Sequence, residues 1–507
     1  MHNSRTVNST KNMLSGLGIS MIMLLLGFFT RKIFVNNIGV EYLGLNGLLS
    51  NILGVMTLLE GGFATSVVYN LYKPLAEDDQ PKILALIQLY RKVYRYVAIG
   101  IIAFSLIIYP FLDIFIKDVE HLSYVTIVYF IFVFNSVIQY FTAYKWSLIN
   151  ASQRAYKLTG INLFYQIGSS ILKILILYYT KNYILYLIVD ALFLVLYNIL
   201  IVKKANKLFP YIVTKEKYVV ESGVKNNIIT NMKALFIHKL GGYFMHSTDN
   251  IVISSFVGVY IIGLYSNYTL VIGVVRTLIS QILNSFTESV GNLIATETTG
   301  KIYDVFKTTF FLNFLVVSIP VIVSVNTLTP LVNWWLGEEY GMKNITVYVM
   351  LLYFYIDKMR SSSQTFKVKA GIFMQDRWTP FFQGCINLLL SLIFVQLWDI
   401  TGVLFASVIS VCAVGFWQWP RLCYKYIFHK PLKEYFKMYI SYTLVAVFAL
   451  LMSILLCEYN NFNDKLSYGV VNAIIILVVV TVVYVTIFYK NPQCRAIVFY
   501  VRGLLKR

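Results

Sequence analysis

Gly39-Val40-Glu41-Tyr42-Leu43-Gly44-Leu45 and Gly258-Val259-Tyr260-Ile261-Ile262-Gly263-Leu264 spell the same pattern, G-V-x-x-x-G-L, 219 residues apart. Phe34 and Phe256 precede the two copies, by five and two residues. Each copy sits in a turn between two apolar runs. The same offset carries the first run onto the seventh and the second onto the eighth. With six crossings between the copies, the two units share one orientation, which predicts a parallel repeat of six-span bundles.

The chain around these copies is built for lipid. Hydrophobic residues make up 58% of its 507 residues and charged residues 13%, with a mean hydropathy of +0.68. Soluble chains run at about 45–50% apolar and about 25% charged, because a globule must cover its surface with polar groups. A cytosolic enzyme, a secreted domain and a disordered scaffold are thereby excluded. A membrane helix needs about 20 mainly apolar residues. Fourteen such runs lie near 13–35, 43–69, 93–112, 122–147, 158–180, 183–202, 230–255, 260–287, 305–328, 342–358, 379–397, 400–420, 438–457 and 468–489. They are too long for barrel strands of roughly 10 residues and lack period-2 alternation. The run after Met13 is longer than a signal h-region and has no small-residue cleavage site, so it reads as the first span. The expected fold class is all-α polytopic: about fourteen transmembrane helices, as two six-helix lobes plus two C-terminal helices. The expected boundaries are 1–203 for the first lobe, 204–229 for a cytoplasmic linker, 230–420 for the second lobe, and 421–507 for the added helices and tail.

The net charge of +20 would in a soluble protein suggest nucleic acid. Its distribution points elsewhere. With the N-terminus inside, 33 of the 43 Lys and Arg fall in inner segments, including Arg360 and Lys367. Only Lys117, Lys181, Lys343 and Lys465 fall in outer loops. Basic residues accumulate on the cytoplasmic side, and a missed helix would invert the alternation downstream. Both termini are expected in the cytoplasm of a bacterial cell membrane, with basic rims against anionic lipid headgroups and no nucleic-acid partner. The five cysteines form no CxxC pair and show no metal-ligand spacing. A Walker loop, an HExxH and a dinucleotide fingerprint are all missing from the sequence. No enzyme activity and no cofactor are expected.

Ionisable groups at membrane depth are costly and usually face a cavity or a partner. Arg31, Glu60, Lys239, Asp249 and Arg276 are the main candidates, and Lys173, Asp190, His238 and Asn250 are secondary ones. Arg31, Lys239 and Arg276 would line a polar central cavity and receive an anionic headgroup, with arginine gripping phosphate bidentately. Glu60 and Asp249 would pair with these cations or carry coupling H+ or Na+. The alternative for each is snorkelling or a structural salt bridge within its bundle. Tyr90, Tyr94, Tyr96, Trp334, Trp335, Trp417 and Trp419, near span ends, read as interfacial anchors.

Three stretches carry a resemblance. Arg31-Lys32-Ile33-Phe34 leads into Ile38–Leu48 and then Leu58-Leu59-Glu60-Gly61-Gly62-Phe63. Val68-Tyr69-Asn70-Leu71-Tyr72-Lys73-Pro74-Leu75-Ala76 follows. The third stretch is His238-Lys239 with Ser247-Thr248-Asp249-Asn250-Ile251-Val252-Ile253-Ser254, continuing through Gly258, Gly263, Tyr265, Ser266, Asn267 and Tyr268. Together they resemble the bacterial polysaccharide repeat-unit flippases of the multidrug/oligosaccharidyl-lipid/polysaccharide (MOP) exporter superfamily. The resemblance implies two six-helix lobes in a V around a central cavity. It also implies alternating-access transfer of a polyprenyl-diphosphate-linked oligosaccharide to the outer leaflet, for surface polysaccharide such as capsule or exopolysaccharide. It places Arg31 in the cavity near the lipid diphosphate and Asp249 on the seventh-helix motif. Membrane lipids, a polysaccharide polymerase and glycosyltransferases are the implied partners.

Other readings stay open on the sequence. A multidrug-type small-molecule/cation antiporter shares the bundle plan, but would favour an acidic or apolar pocket. A non-transport membrane component of envelope assembly would have its bundle charges fully salt-bridged. A polymerase or ligase would normally need a large external loop, whereas the loops here are short.

Overall fold

The computed structural model describes residues 26–58, 60, 63–116, 124–287, 290–372, 374–458 and 465–497. Most of the first expected span, both chain ends, and Lys117, Gly61, Gly62 and Glu288 lie outside the described residues. Within them the regular elements are all helical. Among the described residues, eight helices are long and apolar enough to cross a membrane, or nine if the pair Val125–Phe141 and Ala143–Ala151, bent by 49°, is one span. The chain is a multi-pass membrane protein.

Fewer long helices than expected spans arise where spans break or merge. The second expected span, 43–69, is two helices, α2 (Val40–Gly54) and α3 (Phe63–Glu77), after α1 (26–38). A 3-10 turn, Val55–Leu58, and Glu60 fill the break. The expected pair 379–397 and 400–420 forms one run, Thr379–Phe428, in which Trp398 and Asp399 leave helical φ/ψ and Asp399 has φ 51°. A continuous helix would separate residues 394 and 402 by about 12 Å. Instead a Cβ on Gly402 would lie 2.5 Å from the carbonyl carbon of Phe394. The chain therefore reverses at Asp399, and two helices run back to back.

Contacts divide the chain into two compact units, Met1–Tyr243 with Gly258–Gly263, and Phe244–Val257 with Leu264–Arg507. Unit 1 contains α1 to α3, α4 (Gln80–Ile108), α5 (Val125–Ile138), α6 (Ala143–Ala151), α7 (Thr159–Thr180), α8 (Tyr183–Leu208) and most of α9 (Ser222–His246). Tight turns join them. Asp79 caps α4 by accepting from the Lys82 N–H at 3.1 Å, with Pro81 in the first turn. Asn182 caps α8 by accepting from the Leu185 N–H at 3.0 Å.

The sequence echo, except Leu264, also falls in unit 1. Gly39 and Gly258 have φ 105° and 124°, a backbone that L side chains rarely adopt. Gly44 and Gly263 let backbones touch. A Cβ on Gly44 would lie 2.7 Å from the Val259 carbonyl carbon and nearer still to its oxygen. One on Gly263 would lie 2.9 Å from the Val40 carbonyl carbon, again nearer to the oxygen. Small residues permit such approach in lipid, where packing rather than water drives association. Gly44→Val is therefore expected to destabilise the protein by about 1–3 kcal/mol through overpacking. A thermal midpoint in detergent equal to that of the parent would refute the tight contact.

Tyr90 and Tyr94 are buried with Phe63, Ile87, Leu148 and Leu158 in the core of unit 1. This corrects their reading as interfacial anchors, as do the buried Trp335 and Trp419; Tyr96, Trp334 and Trp417 are exposed. Position near a span end does not fix direction. The ring of Tyr94 stacks edge-on with Tyr90 at 4.4 Å and lies 5.2 Å from Tyr140, contacts worth about 0.5–1.5 kcal/mol each beyond area.

Unit 2 contains α10 (Thr248–Phe256), most of α11 (Val259–Thr287), α12 (Thr299–Trp335), α13 (Asn344–Met359), α14 (Ser361–Lys369) and α15 (Thr379–Ser410). A π-helical turn, Val411–Gly415, leads to α16 (Phe416–Cys423), and a second, Tyr424–Phe428, follows it. The last two helices, α17 (Lys433–Glu458) and α18 (Lys465–Phe488), pack on α12 through aromatic rings. Phe314 meets Tyr442 at 5.0 Å and Tyr484 at 5.1 Å, and the Tyr484 hydroxyl donates to Ser318 Oγ at 2.8 Å.

Candidate functional site

The candidate ionisable groups of unit 1 gather in two places. On one side, Lys173 Nζ on α7 donates to Asp190 Oδ1 on α8 at 2.7 Å and lies 5.3 Å from the centre of the Tyr186 ring. Arg31 on α1, half-buried, is within electrostatic reach of the same Tyr186. Tyr183, Tyr186 and Asp190 follow one another on a face of α8 at helical spacing. Phe34 packs its edge against Tyr183 and Tyr186 at 5.8 and 5.2 Å. The Tyr183 hydroxyl donates to Asn46 Oδ1 on α2. The result is an aromatic-walled patch in which Tyr186 sits beside two cations and one carboxylate.

Glu60 forms the second gathering. It occupies the break between α2 and α3, where irregular backbone at membrane depth needs protein or water around it. Its Oε2 lies 3.4 Å from Lys239 Nζ on α9, and its Oε1 accepts from the Tyr94 hydroxyl. One turn beyond Lys239, the Tyr243 hydroxyl donates to the Asn51 carbonyl oxygen at 2.8 Å. Arg31, Lys173 and Asp190 thus belong to one group, and Glu60 and Lys239 to another.

Unit 2 holds Asp249 in the first turn of α10, just after a break at Ser247. Asn387 Nδ2 donates to Asp249 Oδ1 at 2.8 Å, and Ser407 Oγ lies 3.1 Å from both Asp249 Oδ2 and Asn387 Oδ1. Asn387 and Ser407 come from the two arms of the hairpin turned at Asp399. Ser391, one turn from Asn387, has a buried hydroxyl without a hydrogen-bond partner among the described residues. Asp249 makes no salt bridge there. A carboxylate, an amide and hydroxyls on three strands of backbone make a hard-oxygen set suited to a proton or an s-block cation rather than a soft metal. Among the described residues no three His, Cys, Asp or Glu side chains converge as transition-metal ligands do. Arg276 is exposed, 6.0 Å from the Phe354 ring centre, and both it and Asp249 are within electrostatic reach of Tyr265. Asn250 is half-buried beside Asp249. The His238 side chain lies outside the described residues.

A further charged cluster escapes sequence reasoning. Arg360 and Lys367, assigned from sequence to a basic inner connection, are 1% and 2% exposed, and Asp376 is 0% exposed. Arg360 donates to Asp357 Oδ1 at 2.7 Å and to Gln383 Oε1 at 3.1 Å, and stacks 4.2 Å from the Trp419 ring centre. Lys367 donates to Asp376 and lies 5.1 Å from the same ring. A Cβ on Gly415 would sit 2.5 Å from Gln383 Oε1. The two π turns bracket Trp419, which holds that ring between both cations. The available signal was Gly415 with Trp419 one turn beyond it, opposite a basic run that carries Ser361, Ser362 and Ser363. Tyr353 is within electrostatic reach of Asp249, Asp357 and Arg360.

The fold that holds these sites is similar to that of solved transporter structures. It matches an inward closed lipid II flippase MurJ over 94% of this chain and 99% of the other, with a TM-score of 0.64 and 15% identity. It also matches an inward-facing multidrug resistance MATE family transporter, with a TM-score of 0.58, 13% identity and coverage of 80% and 96%. A MATE transporter of Vibrio cholerae matches with a TM-score of 0.57, 11% identity and coverage of 84% and 100%. No protein-family model and no curated protein sequence matches the chain.

Proposed function

We propose that the chain is a flippase that moves a polyprenyl-diphosphate-linked oligosaccharide repeat unit from the cytoplasmic to the outer leaflet by alternating access. The observation that carries this reading is the cationic, aromatic-walled patch of Arg31, Lys173 and Tyr186, on a fold shared end to end with a solved lipid flippase. A diphosphate and its sugars cannot enter hydrocarbon bare, because each unpaired polar or charged group costs several kcal/mol. Arginine replaces lost hydration with two parallel hydrogen bonds to phosphate oxygens, while the prenyl tail stays in lipid. The full layout belongs to the proposal: fourteen spans, two six-helix lobes about a cavity, cytoplasmic termini, and a linker at 204–229. So does a supply by glycosyltransferases and a polymerase downstream. A multidrug-type antiporter would not need basic groups beside tyrosines in this way.

The test is leaflet-resolved measurement of the lipid-linked repeat unit in a deletion strain. Accumulation on the inner leaflet, reversed by the restored gene, is expected; equal levels on both sides in both strains would defeat the reading.

In the same proposal, Asp249 with Asn387, Ser391 and Ser407 binds the coupling ion, H+ or Na+. An anion without a cationic partner at membrane depth is poised to take one. Sodium is expected to raise the thermal midpoint of the purified protein, and Asp249→Asn to remove that rise. If Na+ has no effect, a proton is the remaining ion, and transport should then follow an imposed pH gradient. A sodium-induced rise retained in Asp249→Asn would place the ion elsewhere.

A further inference from the structure

The motif from Val68 to Ala76 takes no part in the sites above, yet it lines a pocket of about 740 Å³ in unit 1. Its other wall is the segment after α8, around Tyr218 and Val220. That segment is pinned rather than loose. The Gln88 side-chain amide pairs with its backbone in both directions, donating to the Glu216 carbonyl oxygen at 2.7 Å and accepting from the Tyr218 N–H at 3.0 Å. The Tyr218 hydroxyl donates to Glu216 Oε2 at 2.6 Å.

The lining is chemically mixed. Tyr69 and Tyr72 stand 67% and 51% exposed, and Tyr218 faces the same space. Glu77, Asp79 and Lys82 stand among these rings. Lys82 Nζ lies 3.0 Å from Asp79 Oδ2, and Lys73 Nζ lies 3.8 Å from Glu77 Oε1. The side-chain and backbone hydrogen bonds from Lys82 hold the Asp79 carboxyl below its ordinary value, so it stays ionised. With Glu221 also present, the carboxylates offset the lysines, and the pocket does not suit a free phosphate. Exposed tyrosine rings beside carboxylates suit a neutral polyol instead. The rings cover the C–H faces of a sugar, and each carboxylate accepts from adjacent hydroxyls. The volume is that of a site for a drug-sized ligand, within about 300–1,000 Å³, which a short oligosaccharide fills.

We propose that this pocket binds the sugar units of the lipid-linked substrate on the cytoplasmic side, before translocation. The proposal rests on the flippase reading for its ligand and on the basic-side topology for its location. Tyr218 anchors one edge, Tyr69 and Tyr72 the other, and Gln88 fixes the distance between them.

The test uses the full chain in lipid nanodiscs, with free neutral oligosaccharides of two to five sugars as probes and saturation-transfer NMR as the readout. Binding is expected to weaken at least tenfold in Tyr72→Ala and in Tyr218→Ala, and to be unchanged in Tyr96→Ala, an exposed tyrosine outside the pocket. Thermal midpoints check that each variant is folded, and Asp79→Asn supplies a second variant that keeps both rings. Lipid-linked repeat unit added to the same nanodiscs is expected to displace the free sugar. Absence of binding by every probe, binding that survives all three pocket changes, or no displacement would overturn the proposal. The leaflet assay stands apart: flipping without sugar binding removes only the pocket, whereas pocket binding by a chain that does not flip removes the flippase reading.

Discussion

Arg31→Ala is expected to abolish export in a complementation assay while the protein remains in the membrane at its usual level. The side chain is half-buried on α1 beside Tyr186, whose ring also faces Lys173. In the proposed function, Arg31 supplies the fork that takes the place of water on the diphosphate. Charge-assisted hydrogen bonds contribute about 1.5–3 kcal/mol each, so losing two weakens substrate binding by roughly two orders of magnitude or more. Arg31→Lys keeps the charge but not the planar fork, and an intermediate level of export is expected. Lys173 differs, because Asp190 already holds it at 2.7 Å. Undiminished export by Arg31→Ala would sink the proposed role of this residue.

Lys367→Met should destabilise the protein by about 3–5 kcal/mol, the typical penalty for stranding one member of a buried ion pair. The stranded member is Asp376, which is wholly buried. Replacing both residues, as Lys367→Met with Asp376→Leu, should recover most of the loss, since apolar groups of similar volume often substitute for a buried pair without harm. Unfolding of the two single variants and the double in detergent gives the coupling directly. A double variant no better than either single would mean that Lys367 and Asp376 act separately, Lys367 through the Trp419 ring.

The apolar plan was legible because lipid imposes it: helix length follows bilayer thickness. The breaks were less so. Nothing in 43–69 but Glu60 among glycines hints that α2 ends at Gly54 and α3 begins at Phe63. The two acidic residues among the main candidates, Glu60 and Asp249, both lie at such breaks, so composition marked them before geometry did. Their partners were less visible. Tyr94 looked like a belt residue because it lies near a span end, but it turns inward and meets Glu60. Asn387 and Ser407 are polar residues in apolar runs, and only the reversal at Asp399 brings them to one carboxylate. Arg360 and Lys367 mislead in the opposite sense. A charge count assigns every basic residue of a connection to the surface, yet Trp419, Gln383 and Asp376 bury these two.

The contacts at the echoed turns follow an exchange rule. Gly44 meets Val259, and Gly263 meets Val40. Shifting by the repeat offset turns Gly44 into Gly263 and Val40 into Val259, so each contact is the image of the other. Pairs of i to j and j to i contacts are the mark of an isologous interface between identical subunits about a twofold axis. The local contact thus has the form of a homodimer interface carried inside one polypeptide. Because one chain carries both glycines, each can be altered while the other contact persists.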